Sequence, residues 1–217
     1  KQFSGKVIDL LKKVNATENE IKKITEKLQL QHFLNNDLNN ISGGELQKVA
    51  IAAAVLKKGN LYLFDEPTSY LDIKQRINSS KFIRSLAEQN TSIIVIEHDL
   101  IILDYMTDLI NIMYGQEGAF GVVSGVKTTR EGINAFLEGY LKEENVRFRD
   151  HQIKFERINV DKKTAPLKLV SWKKFEKKLG NFQLKTKSGE LYKNEIIGIL
   201  GENGIGKTSF VKVLAGL

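Results

Sequence analysis

The chain has 217 residues, a formal charge of +7 and no cysteine. That length suits one large domain or two partial ones, and the missing thiols exclude disulfides, thiolate metal sites and cysteine-held iron–sulfur clusters within these residues, which fits a cytoplasmic setting. No apolar run reaches the roughly 18 residues that span a bilayer, and no signal-peptide pattern opens the chain. The excess positive charge lies entirely in residues 121–200, with 17 Lys/Arg against 10 Asp/Glu; such a stretch suits either contact with nucleic acid or a solvated lysine-rich surface.

Val7, Leu10, Leu11 and Val14 fall at helical spacing, and Ile21, Ile24 and Leu28 repeat it behind Thr17, an N-cap candidate with Glu20 three residues on. Ser42-Gly43-Gly44 opens a further helix through residues 45–57, whose Ala-rich centre favours that state. Residues 60–64 read as a buried strand ending in Asp65-Glu66-Pro67, Asp72 caps a helix to about residue 89, and Ser92–Ile96 is a second buried strand ending in Glu97-His98-Asp99. Short apolar strands alternating with helices predict an α/β domain with a largely parallel sheet. Beyond Gly115 the texture changes. Gly118, Gly121 and Gly125 interrupt a short β-like segment, a helix is expected over 129–141, and the charged run 143–149 falls in a connector placed at 121–165. Strands are expected again at 167–172, 182–186 and 195–200, the last running into a glycine-rich loop and a terminal helix.

That loop, Gly201-Glu202-Asn203-Gly204-Ile205-Gly206-Lys207-Thr208, matches the phosphate-binding pattern G-x-x-x-x-G-K-[ST] in full. Gly201, Asn203, Gly204 and Gly206 belong to a loop whose N–H groups turn toward phosphate oxygens, at the positive end of a helix. Lys207 is positioned for the β- and γ-phosphates, Thr208 for Mg²⁺, and Ser209 for a further hydroxyl contact. In the Walker B pattern of residues 61–66, Asp65 is a candidate Mg²⁺ ligand and Glu66 a candidate general base. Ser42, Gly43, Gly44 and Glu45 form a second capped helix start able to donate to a γ-phosphate.

Ile41-Ser42-Gly43-Gly44-Glu45-Leu46-Gln47 resembles the signature of ATP-binding-cassette (ABC) proteins, with Ile for the usual leading Leu and Glu for the usual Gln. His98 resembles the family's switch histidine, and Ser69-Tyr70-Leu71-Asp72 its D-loop. In an ABC domain the phosphate loop precedes the signature, whereas here it comes last. The chain opens on Lys1 rather than Met, and the simplest expectation is a piece of a twin-cassette parent: residues 1–120 the C-terminal half of one nucleotide-binding domain, 121–165 a hinge, and 166–217 the N-terminal part of the next. The family's head-to-tail pairing implies that Lys207 and Ser42 serve one nucleotide, and Asp65, Glu66 and His98 the other. Neither composite site is complete here, so this chain alone is expected to hydrolyse ATP poorly. Phe182 stands at the family's spacing for the ring that stacks on adenine, with Phe175 and Trp172 as alternatives, and a core role for Phe182 is equally open.

The run YLFDEPTSYLDIKQR, Ile96-Glu97-His98-Asp99, the stretches GAFGVV and TREGINAFLEGYL, Glu144-Asn145-Val146-Arg147-Phe148-Arg149 and IGILGENGIGKTS are similar to the ribosome-recycling ABC ATPases, the RNase L inhibitor family. The resemblance covers nearly the whole chain. It implies ATP and Mg²⁺ as cofactors and the ribosome, mainly its small subunit, with release or rescue factors as partners. It also implies an iron–sulfur domain outside these residues, and ribosomal RNA near Lys127, Arg130, Arg147 and Arg149. The rival is the ATPase subunit of a membrane transporter, which shares every core motif but not the hinge. A chromosome-associated ATPase would need long heptads between the motifs, and none occurs. A non-catalytic module built from cassette parts fits poorly with an intact Glu66 and Lys207.

Overall fold

A computed structural model describes residues 5–14, 16–87, 91–154, 167–180, 182–193 and 195–216. The chain divides into two compact units, Lys1–Lys154 and Phe155–Leu217.

The first unit begins with helices α1 (Val7–Lys12) and α2 (Glu18–Lys27), followed by single 3-10 turns at Gln31–Phe33 and Leu38–Asn40. Thr17 and Glu20 cap α2 reciprocally, as their spacing predicts. Helix α3 (Gly43–Leu56) is enclosed on most sides: Val49, Ile51, Ala52, Val55 and Leu56 are buried, and α1 and α2 pack against it. Its small central residues allow that close approach. Even Lys48 is buried, its ammonium 5.5 Å from the Phe33 ring centre, and burial holds its pKa below the usual lysine value.

Strand β1 (Leu61–Asp65), helix α4 (Ile73–Ala87), strand β2 (Ser92–Ile96) and helix α5 (Leu100–Met106) form a β-α-β-α run. The strands pair in parallel, Leu61 opposite Ser92 through Asp65 opposite Ile96, so both end at the same edge. Tyr62, Phe64, Ile93 and Val95 face the core with Phe82, Ile83 and Ile102. The opposite face departs from the expectation of fully buried strands: Leu61, Leu63, Ile94 and Ile96 are exposed, because no described layer covers it.

The rest of the unit is built from short antiparallel pairs: β3 (Leu109–Ile110) with β6 (Lys127–Thr128), β4 (Met113–Gln116) with β5 (Phe120–Val123), and β7 (Tyr140–Leu141) with β8 (Val146–Arg147). Helix α6 (Thr129–Glu138) ends three residues before its expected limit. Gly139 adopts φ 73° there, and a Cβ on it would lie 2.8 Å from the Arg149 carbonyl oxygen, so only glycine allows the reversal into β7.

In the second unit, β9 (Lys168–Trp172) pairs with β12 (Gly189–Tyr192), and β10 (Phe175–Leu179) with β11 (Phe182–Thr186), both antiparallel. Helix α7 (Lys207–Leu214) follows the phosphate loop. The strand expected at 195–200 is not formed. Among the described residues no strand runs beside it, so its backbone lacks a ladder and Ile196 and Leu200 are 101% and 97% exposed. Parallel pairing among the described residues is therefore confined to β1–β2. No described helix is long and apolar enough to cross a membrane.

Candidate nucleotide site

The parallel register of β1 and β2 places Asp65-Glu66 and Glu97-His98 at neighbouring strand ends, where open α/β sheets bind ligands. Glu66 N–H donates to Ile96 O at 2.9 Å, which pins the first loop to the second strand. The backbone of Glu66 then turns through φ 46°, a region that side-chain-bearing residues seldom occupy, at a cost of about 1–3 kcal/mol. The turn is held from three sides. Gln47 Nε2 donates to the Glu66 carbonyl at 3.1 Å, Ser69 Oγ donates to Oε2 at 2.9 Å, and His98 Nε2 lies 3.0 Å from Oε1. The carboxylate of Glu66 stays about half exposed and the His98 ring largely so. Asp65 sits exposed at the end of β1.

The start of α3 lies beside this cradle. Ser42 caps it: Glu45 N–H donates to Ser42 Oγ at 3.3 Å, while the Ser42 N–H and hydroxyl both donate to Glu45 Oε2 at 2.7 Å. The unusual Glu45 of the signature thus completes a capping box. Gly44 packs on the D-loop so closely that a Cβ would lie 2.9 Å from the Tyr70 carbonyl oxygen; Gly43 faces the Tyr70 ring at 3.5 Å. A partly buried tie joins the residue before the D-loop to the switch loop, the Thr68 N–H and hydroxyl both donating to Glu97 Oε1 at 3.0 and 2.7 Å.

The second unit carries the phosphate loop. Gly204 and Gly206 have φ 81° and 91°, which lets the loop close and deliver its chain to the N-terminus of α7. Lys207 Nζ donates to the carbonyls of Gly201 and Glu202 at 2.7 and 2.6 Å, folding back across the loop. Thr208 and Ser209 follow in the first turn of α7, and Asn203 lies in the turn before it. The Phe182 ring packs on Gly206, where a Cβ would meet it at 2.6 Å. Trp172 is committed elsewhere: its ring covers Gly189, meets Phe210 edge-on at 5.7 Å and donates its N–H to Lys187 O. Phe175 pairs with Thr186 in the β10–β11 hairpin.

Two of the four connector cations expected at RNA have internal roles. The Lys127 side chain is only 6% exposed and its ammonium meets Glu143 at 2.6 Å and Glu144 at 3.4 Å, with the Glu143 hydrogen bond raising its pKa. Arg149 donates to the carbonyls of Phe136, Leu137 and His151 and stacks on the Phe136 and Phe148 rings, closing the end of α6. Arg130 and Arg147 remain exposed. Sequence reading passed over Arg76, which lies within the YLFDEPTSYLDIKQR run. Its Nε donates to Leu71 O and its Nη1 to Asp99 Oδ2, both at 2.9 Å. The only signal was an arginine one turn after the capping Asp72.

The Ser42-capped helix beside Asp65-Glu66 and His98, and the Gly201–Thr208 loop of the second unit, carry the motif pattern of the P-loop ATP-binding cassettes. The model of the family described as ABC transporter matches residues 2–69. An uncharacterized ABC transporter ATP-binding protein of Methanocaldococcus jannaschii is 52% identical over 218 residues, covering 100% of this chain and 35% of its own length. Translation initiation factor RLI1 of Saccharomyces cerevisiae is 40% identical, covering 97% of this chain and 35% of its own length. An archaeal ribosome recycling factor, aABCE1, solved with the ribosomal stalk protein aP1, superposes with a TM-score of 0.86 at 48% identity over 99% of this chain and 41% of that one. Over nearly its whole length the chain is similar to members of the RNase L inhibitor family of ABC proteins. It spans about a third of the length of the curated relatives it matches.

Proposed function

We propose that this chain is the central part of a twin-cassette ABC protein that binds and hydrolyses ATP and splits ribosomal subunits during recycling in the cytoplasm. Residues 1–120 are read as the C-terminal half of the first nucleotide-binding domain, 121–165 as the hinge and 166–217 as the N-terminal part of the second. The observation that carries the ATPase reading is the Glu66 carboxylate, held between Ser69 and His98 at the end of β1. The ribosomal reading rests on the likeness to RLI1 and to the archaeal recycling factor.

In this reading Glu66 takes a proton from the attacking water, and His98, largely exposed beside it, presents its ring toward the γ-phosphate. The Ser42 hydroxyl exchanges Glu45 for phosphate, and the N–H groups of Gly43 and Gly44 donate beside it, from a helix start that the Ser42 N–H bond to Glu45 keeps in shape. In the other unit the backbone of Gly201, Asn203, Gly204 and Gly206 cradles phosphate with Ser209, and Lys207 exchanges its loop carbonyls for phosphate oxygens. Phe182, seated on Gly206, borders the adenine position. The exposed Asp65 carboxylate and the Thr208 hydroxyl are hard oxygen donors that fit Mg²⁺, each at its own nucleotide. The ion, when bound, neutralises charge on the phosphates.

The test is light scattering of assembled ribosomes mixed with the full-length protein, release or rescue factor and ATP. The proposal expects subunit splitting that requires ATP; scattering that stays constant while the protein binds and hydrolyses ATP would remove the ribosomal reading and favour a transporter ATPase.

A further inference from the structure

The two groups that hold the Glu66 carboxylate stand on different loops: Ser69 on the D-loop after β1, His98 on the loop after β2. Something must keep these loops in register. The partly buried Thr68–Glu97 tie fixes their near ends. Farther out, Arg76 joins them a second time, from the first turn of α4. Its Nε donates to the carbonyl of Leu71, two residues after Ser69, and its Nη1 to Oδ2 of Asp99, the residue after His98. The other oxygen of Asp99 accepts from Ile101 and Ile102 N–H and caps α5. Arg76 and Asp99 are mostly withdrawn from water, at 34% and 27% side-chain exposure, so the pair is less screened than a surface one. Between Ser69 and Leu71 lies Tyr70 at φ 63°, a backbone state that needs support from its surroundings.

We propose that Arg76 is a positioning residue for ATP hydrolysis, locking the D-loop to the switch loop so that Ser69 and His98 reach the Glu66 carboxylate together; the proposal rests on the reading of Glu66 as general base. Two N–H groups at a fixed angle on one planar group are what the geometry uses. A lysine ammonium keeps the charge toward Asp99 but not the second, angled bond to Leu71.

The test uses the full-length protein, with steady-state ATP hydrolysis, affinity for a non-hydrolysable ATP analogue and thermal unfolding measured side by side. Arg76→Met is expected to lower kcat by about tenfold or more while KM and analogue affinity stay within about twofold, and Arg76→Lys to recover part of the loss. A kcat within about twofold of the unsubstituted protein for Arg76→Met, or a loss that follows KM equally in both variants, overturns the proposal. Should Arg76→Met not fold, Arg76→Lys and Asp99→Asn decide: reduced kcat at constant KM supports the lock, and unchanged kcat in both overturns it. Glu66→Gln runs as the reference. Full turnover there overturns the general-base reading and the lock with it, whereas an inactive Glu66→Gln beside a fully active Arg76→Met overturns the lock alone.

Discussion

Replacing Gly44 by alanine tests how tightly the signature helix sits on the D-loop. An added Cβ lies 2.9 Å from the Tyr70 carbonyl oxygen and 3.3 Å from the Leu71 side chain. The carbonyl cannot yield freely, because Tyr70 is already at φ 63° and the next carbonyl is held by Arg76. Alanine gains up to about 1 kcal/mol over glycine in a helix, less in its first turn. Overpacking against a fixed backbone costs about 1–3 kcal/mol. The balance predicts a net loss of about 0.5–2 kcal/mol. Gly43 is the internal control: its Cβ would meet only the Tyr70 ring at 3.5 Å, an ordinary contact, so Gly43→Ala is expected to be neutral or slightly stabilising. Scanning calorimetry of both variants in the full-length protein reads the difference. A Gly44→Ala variant as stable as Gly43→Ala would refute the close seating of helix on loop.

Glu66→Gln keeps the hydrogen-bond geometry but removes the base, so ATP turnover is expected to fall by about 10²–10⁴-fold with analogue binding retained, as single-turnover hydrolysis would show. Glu20, bonded to Lys58 and to the Thr17 N–H, has its pKa lowered to about 2. Its folded value lies below the unfolded one, so its contribution to α2 is complete above about pH 4.5 and is lost as pH falls through about 2. A carboxyl NMR titration placing Glu20 at an ordinary glutamate midpoint would contradict the capping box with its Lys58 pair. Arg147→Glu is expected to weaken ribosome binding and flatten its salt dependence, whereas Arg149→Glu lowers the unfolding temperature, since Arg149 closes the end of α6; equal binding losses at unchanged stability would reject that division.

Helices α1 to α4, α6 and α7 and the motif-bearing loops were legible because each is dictated largely by local sequence. Thr17 and Glu20, Ser42 and Glu45, and the Gly201–Thr208 run fix caps and turns within a few residues of themselves. What could not be read depends on distant parts of the chain. Residues 195–200 are apolar enough for a strand, but a strand exists only with a neighbour. Lys127 and Arg149 look like free cations in sequence, and only the fold brings Glu143, Glu144 and the carbonyls ending α6 to them. Helix α6 hid its end at Gly139 because residues 140 and 141 still fit helical spacing. Likewise, nothing in the spacing of Arg76 and Asp99 announces that they meet across two loops.

We propose that the parent of this chain is an ATP-driven machine that works on the ribosome. This is tested most directly by co-sedimenting the full-length protein with small ribosomal subunits, with and without a non-hydrolysable ATP analogue. Pelleting that depends on the analogue and weakens with salt is expected. Failure to pellet in either condition, at low salt and with analogue binding confirmed, would contradict it.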